Sequence, residues 1–181
     1  MRLVALALTA SFLLSSPNMT GKAASADDGA VIALSGGKFS MTGDKGWKKK
    51  TPRVNIIEAE FAIPKLEGDA ADGRLTVMAS GGGVKANVDR WKGQFSKTEK
   101  SSVTKQKVGD FEVHIVDISG TFKDQRGPFA PATMRKDYRM MGAIIVMEDG
   151  PDYFAKLYGP QKTIEKNAKG FMAFVKSFKK K

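Results

Sequence analysis

The sequence has no cysteine in 181 residues and only one histidine, His114. Without thiols there can be no disulfide, no thiolate nucleophile and no thiolate metal site. A cysteine-linked lipid anchor is excluded for the same reason. One imidazole cannot build a multi-histidine metal centre, and a serine-type triad would need a nucleophile and a carboxylate arranged around it. Asp117 and Ser119 follow closely in the chain, but no nucleophile elbow surrounds them. On a strand, His114 and Asp117 point to opposite faces, so His114 reads as a hydrogen-bonded strand residue. No apolar run reaches the ~20 residues needed to span a bilayer. No catalytic residue, cofactor or metal is expected from this inventory.

The amino terminus has the three parts of a secretory signal peptide. Arg2 supplies the positive start, Leu3 to Leu14 the apolar run, and Ser15 to Ala26 a small polar segment ending Ala24-Ser25-Ala26. Cleavage is expected after Ala26, with Ala23-Ala24-Ser25 as a slightly earlier alternative. The expected organisation is therefore a signal peptide over 1–26, a flexible mature terminus over 27–36 and a single domain over 37–181. Export, periplasmic or fully secreted, is the expected localisation.

Lys and Arg number 30 against 19 Asp and Glu, a net charge of +11. Losing Arg2 and Lys22 with the signal peptide takes this to +9. Such a charge favours anionic partners, and export turns the choice from nucleic acid toward an acidic protein or another anionic component of the cell envelope. A lysine-rich surface that only confers solubility explains the charge more simply. The oligomeric state stays open.

Along the chain, 38–41 opens a short strand, and Trp47 lies in a lysine-rich loop from which it tucks inward. Ile57, Ala59, Phe61 and Ile63 alternate with Glu58 and Glu60, the period of a half-buried strand over 55–63. A returning strand follows over 74–79. After Gly81-Gly82-Gly83, the residues Val84, Val88, Trp91 and Phe95 recur at helical spacing. Residues 103–108 and 111–122 form a hairpin around Gly109-Asp110, the second strand being apolar on both faces. A long basic loop is read over 123–138, then the most apolar strand over 139–147 and another over 153–158. Ile164, Ala168, Phe171, Val175 and Phe178 mark a terminal helix, in which Gly170 suggests close approach to the sheet. Hairpin connections and two helices predict an α+β fold, an antiparallel sheet layered with helices.

The run Gly82-Gly83-Val84-Lys85-Ala86-Asn87-Val88-Asp89-Arg90-Trp91-Lys92-Gly93-Gln94-Phe95 resembles a stretch of a group of exported, uncharacterised bacterial proteins. So do Tyr138 to Ala143, Tyr153 to Pro160 and the closing Val175-Lys176-Ser177-Phe178. The order of elements is similar to the Mog1/PsbP-like α/β/α sandwich. That resemblance implies an accessory or binding role without catalysis, and it carries over no set of functional residues.

The glycine run before the helix can offer backbone amides to an anion, with Lys85 and Arg90 beside it. It lacks the lysine and hydroxyl of a P-loop, and a strand-to-helix turn explains it more simply. Asn87, Arg90, Trp91 and Gln94 fall three and four apart on the helix and converge on one side. There they either bind a ligand or anchor the core. Glu58 and Glu60 share a strand face and read as solvated. Lys123, Arg126, Arg135 and Lys136 in the basic loop are candidates for partner docking. The leading expectation is an exported non-enzymatic binding domain that docks an acidic envelope partner through Lys85, Asn87, Arg90, Trp91, Gln94 and the basic loop. A small-ligand carrier with an apolar pocket is the alternative, and a hydrolase comes third.

Overall fold

The computed structural model describes residues 29–125 and 130–181. The expected signal peptide with its cleavage site at Ala26, and Arg126 with Gly127, Pro128 and Phe129, lie outside the described residues.

The strands in chain order are β1 (Val31–Leu34), β2 (Phe39–Thr42), β3 (Lys48–Lys50), β4 (Ala59–Ile63) and β5 (Gly73–Ser80). Helix α1 (Gly83–Lys92) comes next, then β6 (Phe95–Val108), β7 (Phe111–Asp124), β8 (Thr133–Val146) and β9 (Asp152–Pro160). Helix α2 (Gln161–Lys176) and the short β10 (Lys179–Lys180) close the chain. Seven strands form an antiparallel sheet in the order β3-β4-β5-β9-β8-β7-β6, and β1-β2-β10 make a small second sheet.

The strict alternation of side chains across the large sheet decides which residues meet which helix. Leu75 and Val77 of β5, Ala155 and Leu157 of β9 and Ala143 and Ile145 of β8 face α2, where Ile164, Phe171, Phe174 and Val175 complete one apolar cluster. The intervening positions Phe154, Met140, Ile144, Val116 and Ile118 face the other way, against Val88 and Trp91 of α1. The central strands are therefore apolar on both faces, as a sheet covered on both sides requires. The layered α+β expectation is met.

Several boundaries differ from the sequence reading. Residues 31–34, expected as part of a loose terminus, pair with β2 and bury Ile32 and Leu34. Burial of these two side chains outweighs the polar, glycine-containing surroundings that suggested a tail. The strand expected over 55–63 begins only at Ala59, because residues 54–57 close a turn with Ile57 N–H donating to Val54 O at 3.2 Å. The basic loop expected over 123–138 is mostly ladder: Lys123 pairs with Met134, Asp124 with Thr133 and Phe122 with Arg135. Trp47 is buried as expected, and its Nε1–H donates to Asn167 Oδ1 of α2 at 2.9 Å. A Cβ on Gly170 would meet the Asp44 carboxylate and the Trp47 ring, so this glycine admits the β2–β3 loop rather than the sheet.

Candidate functional site

Helix α1 covers only part of its face of the sheet. Beside it lies a cleft of about 430 Å³, lined by Arg74 and Thr76 of β5, Arg90, Trp91 and Gln94 at α1, Phe122 and Lys123 of β7, and Lys156 and Tyr158 of β9. Arg74, Arg90, Lys123 and Lys156 stand against one lining carboxylate, Asp124, and that carboxylate is engaged by Arg135 at 3.3 Å. The cleft is cationic, unlike the apolar pocket that a small-ligand carrier would present.

Lys156 sits at the centre. Its neighbours in β9, Phe154 and Tyr158, share its face of the sheet, and its partners in register are Thr76 and Gly142. Its ammonium donates to Gln94 Oε1 at 2.5 Å and lies 4.7 Å from the Tyr158 ring centre and 5.4 Å from that of Phe122. Both ring faces are negative and attract the cation. No ion pair joins Lys156 to a carboxylate among the described residues. Desolvation, reinforced by the charges of Arg90 and Arg74, pushes its ammonium down to about 7.

Arg74 is held from two sides. Its Nε and Nη2 donate to the two carboxylate oxygens of Glu60 at 2.9 and 3.0 Å, and its Nη1 donates to Tyr158 Oη at 3.3 Å. The Arg74 hydrogen bonds keep the Glu60 carboxyl below its ordinary value, and the Glu60 carboxylate raises Arg74 further. Glu60 is thus a clamp on the cleft wall, whereas the alternating sequence pattern suggested a solvated face. Glu58 precedes β4 and accepts the Ser35 N–H at 2.6 Å, so the two glutamates do not form an acid–base pair.

Asn87 is buried and organises the start of α1. Its Nδ2 donates to Gly81 O at 3.1 Å and Gly83 O at 2.8 Å, while its Oδ1 accepts Arg90 Nη2 at 2.7 Å. Gly82 caps the helix with φ 97°, and a Cβ there would meet Asn87 Nδ2 at 3.3 Å. The glycine run serves that turn. Of the residues singled out from sequence, Arg90, Trp91, Gln94 and Lys123 come together in the cleft, with Asn87 behind Arg90. Lys85 is exposed and pairs with Asp89 at 2.7 Å, away from the cleft. Arg135 is occupied by Asp124, and Lys136 is exposed and lines neither cleft.

Sequence reasoning missed Arg74, Lys156 and Tyr158. The available signal was a lone lysine inside an otherwise apolar strand, Tyr153-Phe154-Ala155-Lys156-Leu157-Tyr158. His114 Nε2 bonds Glu112 Oε1 at 2.7 Å, and His114 lines neither cleft. A second cleft of about 380 Å³ on the α2 side holds Asp117 and Ser119 with Arg139, which clamps Asp117 at 2.6 and 2.9 Å. No helix among the described residues is long and apolar enough to cross a membrane.

No family model and no curated protein matches the sequence. Solved structures similar in fold include the following two. The solution structure of cyanobacterial PsbP (CyanoP) from Synechocystis sp. PCC 6803 aligns with TM-score 0.54 and 10% identity, covering 93% of this chain and 99% of that one. A mutant of the protein Mog1 aligns with TM-score 0.52 and 13% identity, covering 84% of this chain and 95% of that one. Near-complete coverage of both, with helices on the two faces of one antiparallel sheet, gives the chain the Mog1/PsbP-like fold.

Proposed function

We propose that the chain is an exported, non-enzymatic accessory or binding domain that docks an acidic group of an envelope protein in the cleft beside α1. The observation that carries this reading is the convergence of Arg74, Arg90, Lys123 and Lys156 on one concavity whose nearby carboxylates, Asp124 and Glu60, are each already engaged by an arginine. Cations in a partly desolvated concavity attract an incoming anion more strongly than the same charges on an open surface. Trp91, Phe122 and Tyr158 add apolar walls that an anion carried on a protein side chain can pack against. The likeness to PsbP and Mog1 supports an accessory role only through the shared fold.

The test is proximity cross-linking of the tagged protein in its native host, comparing wild type with Arg90→Glu/Lys123→Glu and with Lys85→Glu. The reading expects one species captured by wild type and by Lys85→Glu, lost in the double variant and weakened by salt. Equal capture by all three proteins overturns docking in this cleft.

A further inference from the structure

The cleft holds a second chemical possibility, one that concerns the lysine itself. An amine reacts as a nucleophile only in its neutral form, and lysines that form imines reach that form near neutral pH through desolvation or an adjacent cation. Both conditions meet at Lys156, whose ordinary value of 10.5 is lowered to about 7. The charged and titratable groups around it are Arg90 on α1, Arg74 on β5 with Glu60 of β4 behind it, Lys123 and Asp124 on β7, and Tyr158 on its own strand. No carboxylate among the described residues is paired with Lys156 to hold it as an ammonium. Gln94 Oε1, at 2.5 Å, fixes Nζ, and the half-buried Lys156 lines the cleft.

We propose that Lys156 is a covalent capture site for small carbonyl compounds bearing a carboxylate, with Arg90 holding the carboxylate while the Lys156 amine meets the carbonyl carbon. The Nζ lone pair forms the C–N bond, and the carbonyl π pair moves to oxygen, which takes a proton to give a carbinolamine. Loss of that oxygen as water, with one proton from nitrogen, leaves the imine. The balance is amine plus carbonyl giving imine plus water, with no oxidant or reductant. Capture is reversible by hydrolysis and does not depend on the docking reading, although both use the same cationic walls.

The experiment treats the protein at pH 7 with glyoxylate, and separately with acetaldehyde, each with cyanoborohydride to reduce any imine to a stable secondary amine. Peptide mass spectrometry then locates the label. Glyoxylate is expected to label Lys156 about tenfold faster than the exposed Lys48 and Lys180, because far more of its amine is neutral at that pH. Acetaldehyde, which has no carboxylate, is expected to label Lys156 more slowly than glyoxylate, and Arg90→Gln to reduce that difference. Labelling of Lys156 no faster than Lys48, or equal labelling by the two probes, overturns the proposal. Partner capture in the cross-linking comparison is read without aldehyde, so the two readings fail independently.

Discussion

The indole ring of Trp91 lies directly on the backbone of Gly142, so that a Cβ built on Gly142 would come 2.1 Å from the ring. Trp91 is almost fully buried on α1, and Gly142 lies in the middle of β8. Glycine thus sets how closely the helix approaches the sheet, and the helix in turn forms one wall of the cleft.

Gly142→Ala is expected to push α1 outward and destabilise the fold by about 1–3 kcal/mol, the usual effect of overpacking a filled core. Urea denaturation followed by tryptophan fluorescence measures the loss. Gly142→Val should lose more. Equal stability of Gly142→Ala and wild type would contradict the contact.

Asn87 makes three hydrogen bonds that join the glycine turn, the first turn of α1 and Arg90. Asn87→Ala removes these hydrogen bonds, two of them to carbonyls of the exposed Gly81 and Gly83, and is expected to cost about 0.5–1.5 kcal/mol. It also releases Arg90, so capture of an anionic partner should weaken even where the protein remains folded. A variant with full stability and full capture would show that Asn87 neither builds the turn nor holds Arg90.

Much of the fold was legible because both periodicities are clean. The stripe Val84, Val88, Trp91 located α1, and the two-faced apolar strand Phe111 to Phe122 announced a sheet covered on both sides. Half of the site was legible for the same reason, since Arg90 and Trp91 lie three and four residues after Asn87 and four and three before Gln94. The other half depends on pairing between distant strands. Arg74 meets Glu60 across β4–β5, and Lys156 meets Gln94 across 62 residues of chain. Local composition also misled at 123–138, where charge and proline suggested a loop although cross-strand pairing continues through Asp124 and Thr133.

The Glu60–Arg74 clamp predicts a dependence on acid. The folded-state value of Glu60 lies below its ordinary 4.5, so the folded protein releases that proton more readily than the unfolded chain. The contribution to stability is therefore present above pH 4.5 and fades as pH falls through the lower folded value. Arg74 is 42% exposed at its side chain, and solvent screening keeps the effect to roughly 1 kcal/mol or less. Glu60→Gln should flatten the acid limb of a melting-temperature profile, and an unchanged limb would mean that the clamp contributes nothing measurable.

Lys156 predicts a dependence of the opposite kind. A lysine whose folded-state value is lowered to about 7 from 10.5 binds fewer protons in the folded protein than in the unfolded chain between those two limits. Stability attributable to Lys156 therefore rises with pH across that interval. Below pH 7 the residue is charged in both states, and the folded protein bears the full penalty of the desolvated ammonium. Above 10.5 it is neutral in both states and the penalty is gone. Lys156→Met keeps the apolar stem against Phe122 and Tyr158 and removes the charge, at the loss of the hydrogen bond to Gln94. The variant should be more stable than wild type at pH 6 by roughly 2–4 kcal/mol. A full shift of this size corresponds to about 5 kcal/mol, and the partial exposure of Lys156 reduces it. The advantage should shrink steadily as pH approaches 10. Denaturation midpoints of the two proteins at pH 6, 8 and 10 decide the matter: a constant offset would show that the lysine keeps its ordinary proton affinity, and with it would go the chemical basis for carbonyl capture.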